Sequence, residues 1–240
     1  MLSIAKFGLT STIKISEDLF FIPPEINEKI NSIWDIESKK RDGFIFNKKI
    51  LSAVTITDRC IYAKITEYRN FIAQKICPEL FETLQIKPIA VSGILKCPDG
   101  LLFGLRASSL TQDPGLWELL PSGGIDPESS IDTFPDVDHI AQLLIELQEE
   151  VGLTANNISH ISPLYFVNDS KSHVIDIVSL LECPLTFKEI NKIYSSHKQQ
   201  EVDDIKLVAA DDLAYFIESQ GDQISEISKL IIKELLSNKV

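Results

Sequence analysis

This 240-residue sequence is short of several things, and each shortage argues against a class of protein. Its four cysteines, Cys60, Cys77, Cys97 and Cys183, are widely scattered and form no C-x-x-C pair. That spacing speaks against a disulfide framework or a zinc site and for reduced thiols. Basic residues are outnumbered, 23 Lys and Arg against 35 Asp and Glu, for a formal charge of −12. A chain so acidic is a poor partner for nucleic acid or an anionic membrane surface. No apolar run approaches the length of about 20 residues that spans a bilayer. The opening MLSIAKFGLTSTIKISEDLFF lacks the unbroken apolar core of a signal peptide, so a cytoplasmic location is expected. His139, His160, His173 and His197 show no H-x-x-x-H spacing, and no metal role is assigned to them. Repeats and low-complexity segments are absent as well.

What is present is a chain rich in Val, Ile and Leu, long enough to bury a substantial core. TIKISEDLFF reads as a strand, PPEINEKINSIWDIESKK as a helix opening after prolines, and GFIFNKKILSAVTITDRCIYAKI as β-rich. TEYRNFIAQKICPELFETL has a helical period with Thr66 as its N-cap. A second unit begins near Pro88. IAVSGILKC and LLFGLRA flank the turn signal PDG and should form a hairpin. LWELLPSGG is a strand running into a glycine turn, and FPDVDHIAQLLIELQEEVG is a helix with Pro135 in its first turn. ISPLYFVN, SHVIDIVSLLE and DIKLVAA are strands. TFKEINKIYSSH, DDLAYFIES with Asp211 and Asp212 as caps, and the amphipathic DQISEISKLIIKELLSNK are helices. The sum is an α/β fold, a mixed sheet with helices on its faces. The expected organisation is a smaller N-terminal α+β extension, residues 1–87, and a main domain, residues 88–240.

The helix that ends in ELQEEVGL raises a physical question. Glu146, Glu149 and Glu150 fall at i, i+3 and i+4, so they share one side of the helix and repel by roughly 0.2–0.5 kcal/mol per pair. Gly152 suits the left-handed position that closes a helix. The acids therefore approach the negative end of the helix dipole, a further cost on the order of 0.3–1 kcal/mol each. A hard divalent cation that takes oxygen ligands would offset both penalties. A solvated acidic face is the alternative, with Ile140, Leu144, Leu147 and Val151 as the core-facing stripe.

The glycine turn PSGG followed by this helix end resembles the signature of the Nudix hydrolases, which cleave a nucleoside diphosphate linked to another group. The family pattern is G-x5-E-x7-R-E-U-x-E-E-x-G-U, with U aliphatic. Gly123 matches its first glycine, Glu146 the glutamate after the arginine, and Leu147 the aliphatic position. Glu149 and Glu150 match the paired acids, Gly152 the last glycine and Leu153 the last aliphatic residue. There are departures. Ile145 stands where the pattern has arginine, which normally orients the glutamates. Ser129 stands at the early glutamate position, with Glu128 one residue short, and the turn-to-helix connection is lengthened by SSIDTFPDVD. The pieces FIFNKK, TEYRNFIA, LWELLPSGG and YFVNDS, in that order, resemble the UDP-glucose and UDP-galactose diphosphatase subgroup, which carries an N-terminal extension.

The resemblance implies a Nudix-type α/β/α sandwich and Mg²⁺ as cofactor, with Mn²⁺ as a substitute. Glu146, Glu149, Glu150 and the Gly123 backbone are the implied metal ligands. Glu201, in QQEVDDIKLV, is a candidate general base or additional ligand, a solvated loop glutamate being the alternative. Arg106, at the end of a hairpin strand, has the fork that matches phosphate oxygens and is a candidate on the substrate with Gly123, Gly124, Tyr68 and Arg69, a surface ion pair being the alternative for Arg106 and packing at the helix start the alternative for Tyr68. Trp117, just before the glycine turn, is a candidate for the pocket wall, with the core the commoner place for such an aromatic. The implied partner is a small nucleoside diphosphate derivative; a homodimer is one assembly open to it. The implied reaction splits a UDP-sugar into a nucleoside monophosphate and a sugar 1-phosphate. ADP-ribose or a dinucleotide is the rival substrate, and a Nudix-shaped binding module disabled at Ile145 and Ser129 is the rival from outside catalysis.

Overall fold

A computed structural model describes residues 2–7, 11–17, 20–40, 45–57, 59–110, 112–128, 134–197 and 201–238. In chain order its elements are β1 (Leu2–Lys6), β2 (Thr12–Ile15), α1 (Pro24–Lys40), β3 (Lys49–Ile56), β4 (Cys60–Glu67), α2 (Tyr68–Ile76) and α3 (Phe81–Leu84). There follow β5 (Ile89–Cys97), β6 (Gly100–Arg106), β7 (Trp117–Leu119), β8 (Ser122–Gly124), α4 (His139–Val151), β9 (His160–Asp169) and β10 (Ile175–Glu182). The last elements are α5 (Phe187–Ser196), β11 (Val202–Val208), α6 (Leu213–Gln220) and α7 (Glu226–Asn238).

The larger sheet runs β1-β9-β10-β5-β6-β11, with β7 on β6 and β8 on β5. Its central pair, β5 and β10, is parallel, while β9 on β10 and β11 on β6 are antiparallel. Both central strands are nearly unbroken apolar runs because helices cover both of their faces. On one face, Val91 and Leu95 of β5 pack with Leu143, Leu147 and Val151 of α4. On the other, Ile94 and Val178 pack with Phe216 of α6 and Ile231 of α7. Helix, sheet and helix are thus layered as the α/β reading requires. Trp117 is buried in the second cluster, with the Lys206 ammonium 3.7 Å from its ring centroid.

The smaller sheet has the order β2-β4-β3. Its apolar side, including Ile13, Leu51 and Ile61, joins the same core as β5 and α4. The Ala53 amide donates to the Lys87 carbonyl at 2.8 Å, stitching β3 to the entry of β5. The first strand departs from the simple two-part division: β1 pairs antiparallel with β9, so residues 2–6 belong to the larger sheet. That pairing crosses most of the chain, and no local signal in LSIAK announces it.

Three local expectations need correction. Pro135 is not in the first turn of α4. The helix starts at His139, capped by the Asp138 carboxylate, which accepts from the Ala141 amide. Residues before it are held in extended form by β2, whose Ile15 amide donates to the Pro135 carbonyl and whose Ile13 carbonyl accepts from the Val137 amide. Thr66 is not an N-cap but lies within β4, its hydroxyl accepting from the Asn70 side chain, and Glu67 occupies the cap position. Asp212 precedes α6 without a capping hydrogen bond from its side chain, and Asp211 lies in a 3-10 turn. All four cysteines are free thiols. Among the described residues no helix is long and apolar enough to cross a membrane.

Candidate active site

The site is built where α4 crosses β8. Two stripes of α4 are buried. Leu143, Leu147 and Val151 enter the core, each contributing about 1.5–3 kcal/mol by leaving water. Gln142, Glu146 and Glu150, four residues apart, form a buried polar stripe beside them. Ile140 and Leu144, expected in the core, are half-buried. Gly152 ends the helix at φ 81°, the left-handed region, and returns its amide to the Gln148 carbonyl.

The carboxylates meet the glycine turn directly. The Ser122 amide donates to Glu150 Oε2 at 2.9 Å. The Glu146 carboxyl lies so close to Gly123 that a Cβ there would come within 2.1 Å of Glu146 Cδ. Only glycine lets that carboxyl approach the backbone. Gln142 Nε2 donates to Glu146 Oε1 at 2.7 Å, while Gln142 Oε1 accepts from the Asp126 amide at 3.2 Å. This glutamine fixes Glu146 in a chain whose Ile145, 40% exposed, stands where the family pattern has arginine. Glu149 is exposed, so the three acids do not share one environment. The 100° advance per residue buries 146 and 150 and leaves 149 at the exposed edge beside them, near enough to raise the Glu146 carboxyl.

Electrostatics mark this cluster as short of positive charge. Glu146 is pushed up to about 7, chiefly by burial and further by Glu149 and Glu201, with Gln142 and Lys48 opposing. Glu150 is raised well above the ordinary carboxylate range by burial and by Glu118, Glu146 and Glu201. Glu118 on β7 is raised by burial despite its ion pair with Arg106 and a 2.9 Å hydrogen bond from Ser122 Oγ. Acids that raise one another's pKa in this way are a donor set suited to a hard cation. Among the described residues, no group of three His, Cys, Asp or Glu forms a ready metal cage.

Beside β8 opens a cavity of about 410 Å³, within the range of small-molecule sites. Gly123, Gly124, Arg106, Glu201 and Tyr68 all line it. Arg106 Nε donates to the Gln112 carbonyl at 2.9 Å and its Nη1 pairs with Glu118, while Nη2 has no such partner among the described residues. The Glu201 carbonyl accepts from the Ala107 amide at the end of β6. Arg69 is directed elsewhere, to Glu67 at 2.6 Å and to Asn31 at 2.6 Å. Asn47 bonds both the Glu67 side chain and the Arg69 amide, so the FIFNKK and TEYRNFIA segments meet as one unit. Ser129 lies outside the described residues, and Glu128 is an exposed residue 3.6 Å from Lys49.

Sequence reasoning did not single out Glu118, Asp176, Gln142 or Lys48. The available signal was an acid inside an apolar strand, Glu118 in LWELL and Asp176 in VIDIV, since such a residue must be buried with partners.

No family model matches this sequence, and no curated protein matches it. Solved structures do match. A bifunctional NMN adenylyltransferase/ADP ribose pyrophosphatase from Francisella tularensis is 17% identical over 70% of this chain, with a TM-score of 0.47. This chain spans 46% of that enzyme's length. The NUDIX domain of Shewanella oneidensis NrtR, complexed with ADP ribose, is 15% identical over 68% of this chain and 98% of its own, with a TM-score of 0.46. A NUDIX hydrolase from Nitrosomonas europaea is 13% identical over 63% of this chain and 90% of its own, at 0.42. Two of these three structures are described as a NUDIX domain or a NUDIX hydrolase.

Proposed function

We propose that this chain is a divalent-metal-dependent Nudix hydrolase that cleaves the pyrophosphate bridge of a nucleoside diphosphate derivative. The supporting observation is the packing of Glu146 and Glu150 against the Ser122–Gly124 turn at the wall of a 410 Å³ cavity. Glu146, Glu149, Glu150 and the Gly123 carbonyl would hold Mg²⁺, with Mn²⁺ as a substitute. When bound, the ion neutralises the diphosphate and lowers the pKa of a coordinated water.

The chain's own groups do the rest. Glu146 and Glu150, whose carboxyls burial raises above the ordinary carboxylate range, would hold the ion in their deprotonated form. Arg106, locked by Glu118 and Gln112, presents its remaining donor to a phosphate oxygen, and Lys48 adds positive charge at the cavity. Glu201 takes the proton of the attacking water, because it faces the cavity while Glu146 is engaged by Gln142 and packed on Gly123. Gln142 supplies the orientation that the pattern's arginine would give, which favours an active enzyme over a binding module.

A nucleoside diphosphate sugar of the UDP-glucose or UDP-galactose type is the substrate favoured by the ordered sequence pieces. ADP-ribose, held by the Shewanella NUDIX domain, is the second reading. The test is incubation with Mg²⁺ or Mn²⁺ and a panel of UDP-sugars, ADP-ribose and dinucleotides, with products resolved by chromatography. Metal-dependent release of a nucleoside monophosphate upholds the reading; nucleotide binding with no product from any compound overturns it.

A further inference from the structure

We propose that Asp176, together with Ser92, is the specificity element of this cavity: a buried carboxylate that reads an uncharged hydrogen-bond donor, hydroxyl or N–H, on the non-phosphate part of the substrate. The inference rests on the hydrolase reading and deepens it.

Asp176 sits in the central strand β10, only 5% exposed, and lines the cavity. Its neighbours along the strand, Ile175, Ile177 and Val178, are fully buried apolar residues. Packing alone would place another aliphatic side chain there, since a buried carboxylate must recover its lost hydration from hydrogen bonds. The structure supplies one: Ser92 Oγ on β5 donates to Asp176 Oδ1 at 2.7 Å. An ionised carboxylate has room for about four such bonds. Among the described residues no donor is assigned to Oδ2.

Arg106 does not close that account. Its Nε and Nη1 are taken by the Gln112 carbonyl and Glu118, and it acts on Asp176 only as a more distant charge. Burial outweighs both Ser92 and Arg106 and lifts the Asp176 carboxyl to about 6. Near neutral pH it is therefore mostly an anion in want of donors. A phosphate would be repelled from it. A sugar hydroxyl or a base N–H fits.

Ser92 also lines the cavity, and its hydroxyl, spent on Oδ1, fixes the orientation of the carboxylate. Apolar residues such as Ile89, Val174 and Ile231 share the wall. A few placed polar groups in a mainly apolar pocket are the usual means of selection. A site built to accept a hydrogen bond discriminates strongly against a ligand without the donor, because the buried acceptor is then left unpaired.

The test compares wild type with Asp176→Asn, a near-isosteric change that removes the charge and half of the acceptor capacity. KM and kcat are measured with Mn²⁺ on two arms: UDP-, ADP- and GDP-glucose vary the base, and UDP-glucose, UDP-galactose and UDP-xylose vary the sugar. The expected result is a KM raised about ten- to a hundredfold for the preferred compound. It comes with kcat changed by less than about threefold and flattened selectivity along one arm, which identifies the group that is read. Unchanged KM and selectivity, or a lowered melting temperature as the sole effect, overturns the inference. If neither protein turns over any compound, the hydrolase reading has failed on its own, and calorimetric binding of the same compounds decides this one. About tenfold weaker binding by the variant upholds it; equal affinities, or no binding by wild type, overturn it.

Discussion

Replacing Glu146 with Gln should stabilise the metal-free protein at alkaline pH while abolishing its response to the metal. The folded Glu146 carboxyl has a pKa of about 7 against an ordinary 4.5, with burial as the main cause. The folded state therefore keeps a proton that the unfolded chain releases near pH 4.5. Stability falls as pH rises through the window from about 4.5 to about 7 and stays low above it. At about 1.4 kcal/mol per pH unit, the penalty at pH 8 is at most about 3.5 kcal/mol. Glutamine keeps the oxygen that accepts from Gln142 Nε2 and carries no charge. It also relieves Glu150, which Glu146 pushes up. For a chain of this size about 1 kcal/mol moves the melting temperature by roughly 2–4 °C, so the gain at pH 8 is at most about 14 °C. The assay is a melting curve of both proteins at pH 5 and pH 8, with and without Mn²⁺. The two should melt closest together at pH 5, the variant should melt clearly higher at pH 8, and Mn²⁺ should raise wild type alone. A variant that melts lower by the same amount at both pH values would refute the reasoning.

Gly123→Ala places a Cβ within 2.1 Å of Glu146 Cδ, whereas at Gly124 nothing lies within 4 Å. The first should displace the flexible end of Glu146 and remove most of the activity with little loss of stability in denaturant melts, while the second should leave stability unchanged. Glu149→Gln, on the exposed side of α4, should leave the melting temperature unchanged and lower kcat by more than about a hundredfold, beyond the 10–100-fold typical of an outer partner. Gln142→Ala should weaken Mn²⁺ affinity or activity by about 10–100-fold, and an assay at higher Mn²⁺ should recover part of the loss. Loss of stability with full metal affinity would contradict the positioning role given to Gln142.

Most of the secondary structure could be read from local signals because it is locally determined. The PDG turn joins β5 to β6 in the expected hairpin, and the apolar period of HIAQLLIELQEEV yields α4. The glycine turn and the acids were visible because their spacing follows from helix and turn geometry. The errors sit where distant residues decide. β1 is a strand because β9 is there to pair with it, and Pro135 is kept out of α4 by hydrogen bonds to β2. The different fates of Glu149 and its neighbours depend on which side of α4 meets β8. Arg69 reads as a ligand for phosphate until Glu67 and Asn31 are seen to occupy it. Glu118 and Asp176 were hidden by the apolar strands that bury them, although an acid in such a strand is itself a sign of function.

Anomalous diffraction from crystals soaked with Mn²⁺ and a non-hydrolysable nucleoside diphosphate analogue tests the central claim most directly. The account predicts manganese bound by carboxylate oxygens of Glu146, Glu149 and Glu150 beside Gly123, and shared with the phosphates of the analogue. Phosphates seated in the cavity with no manganese on those acids would contradict it.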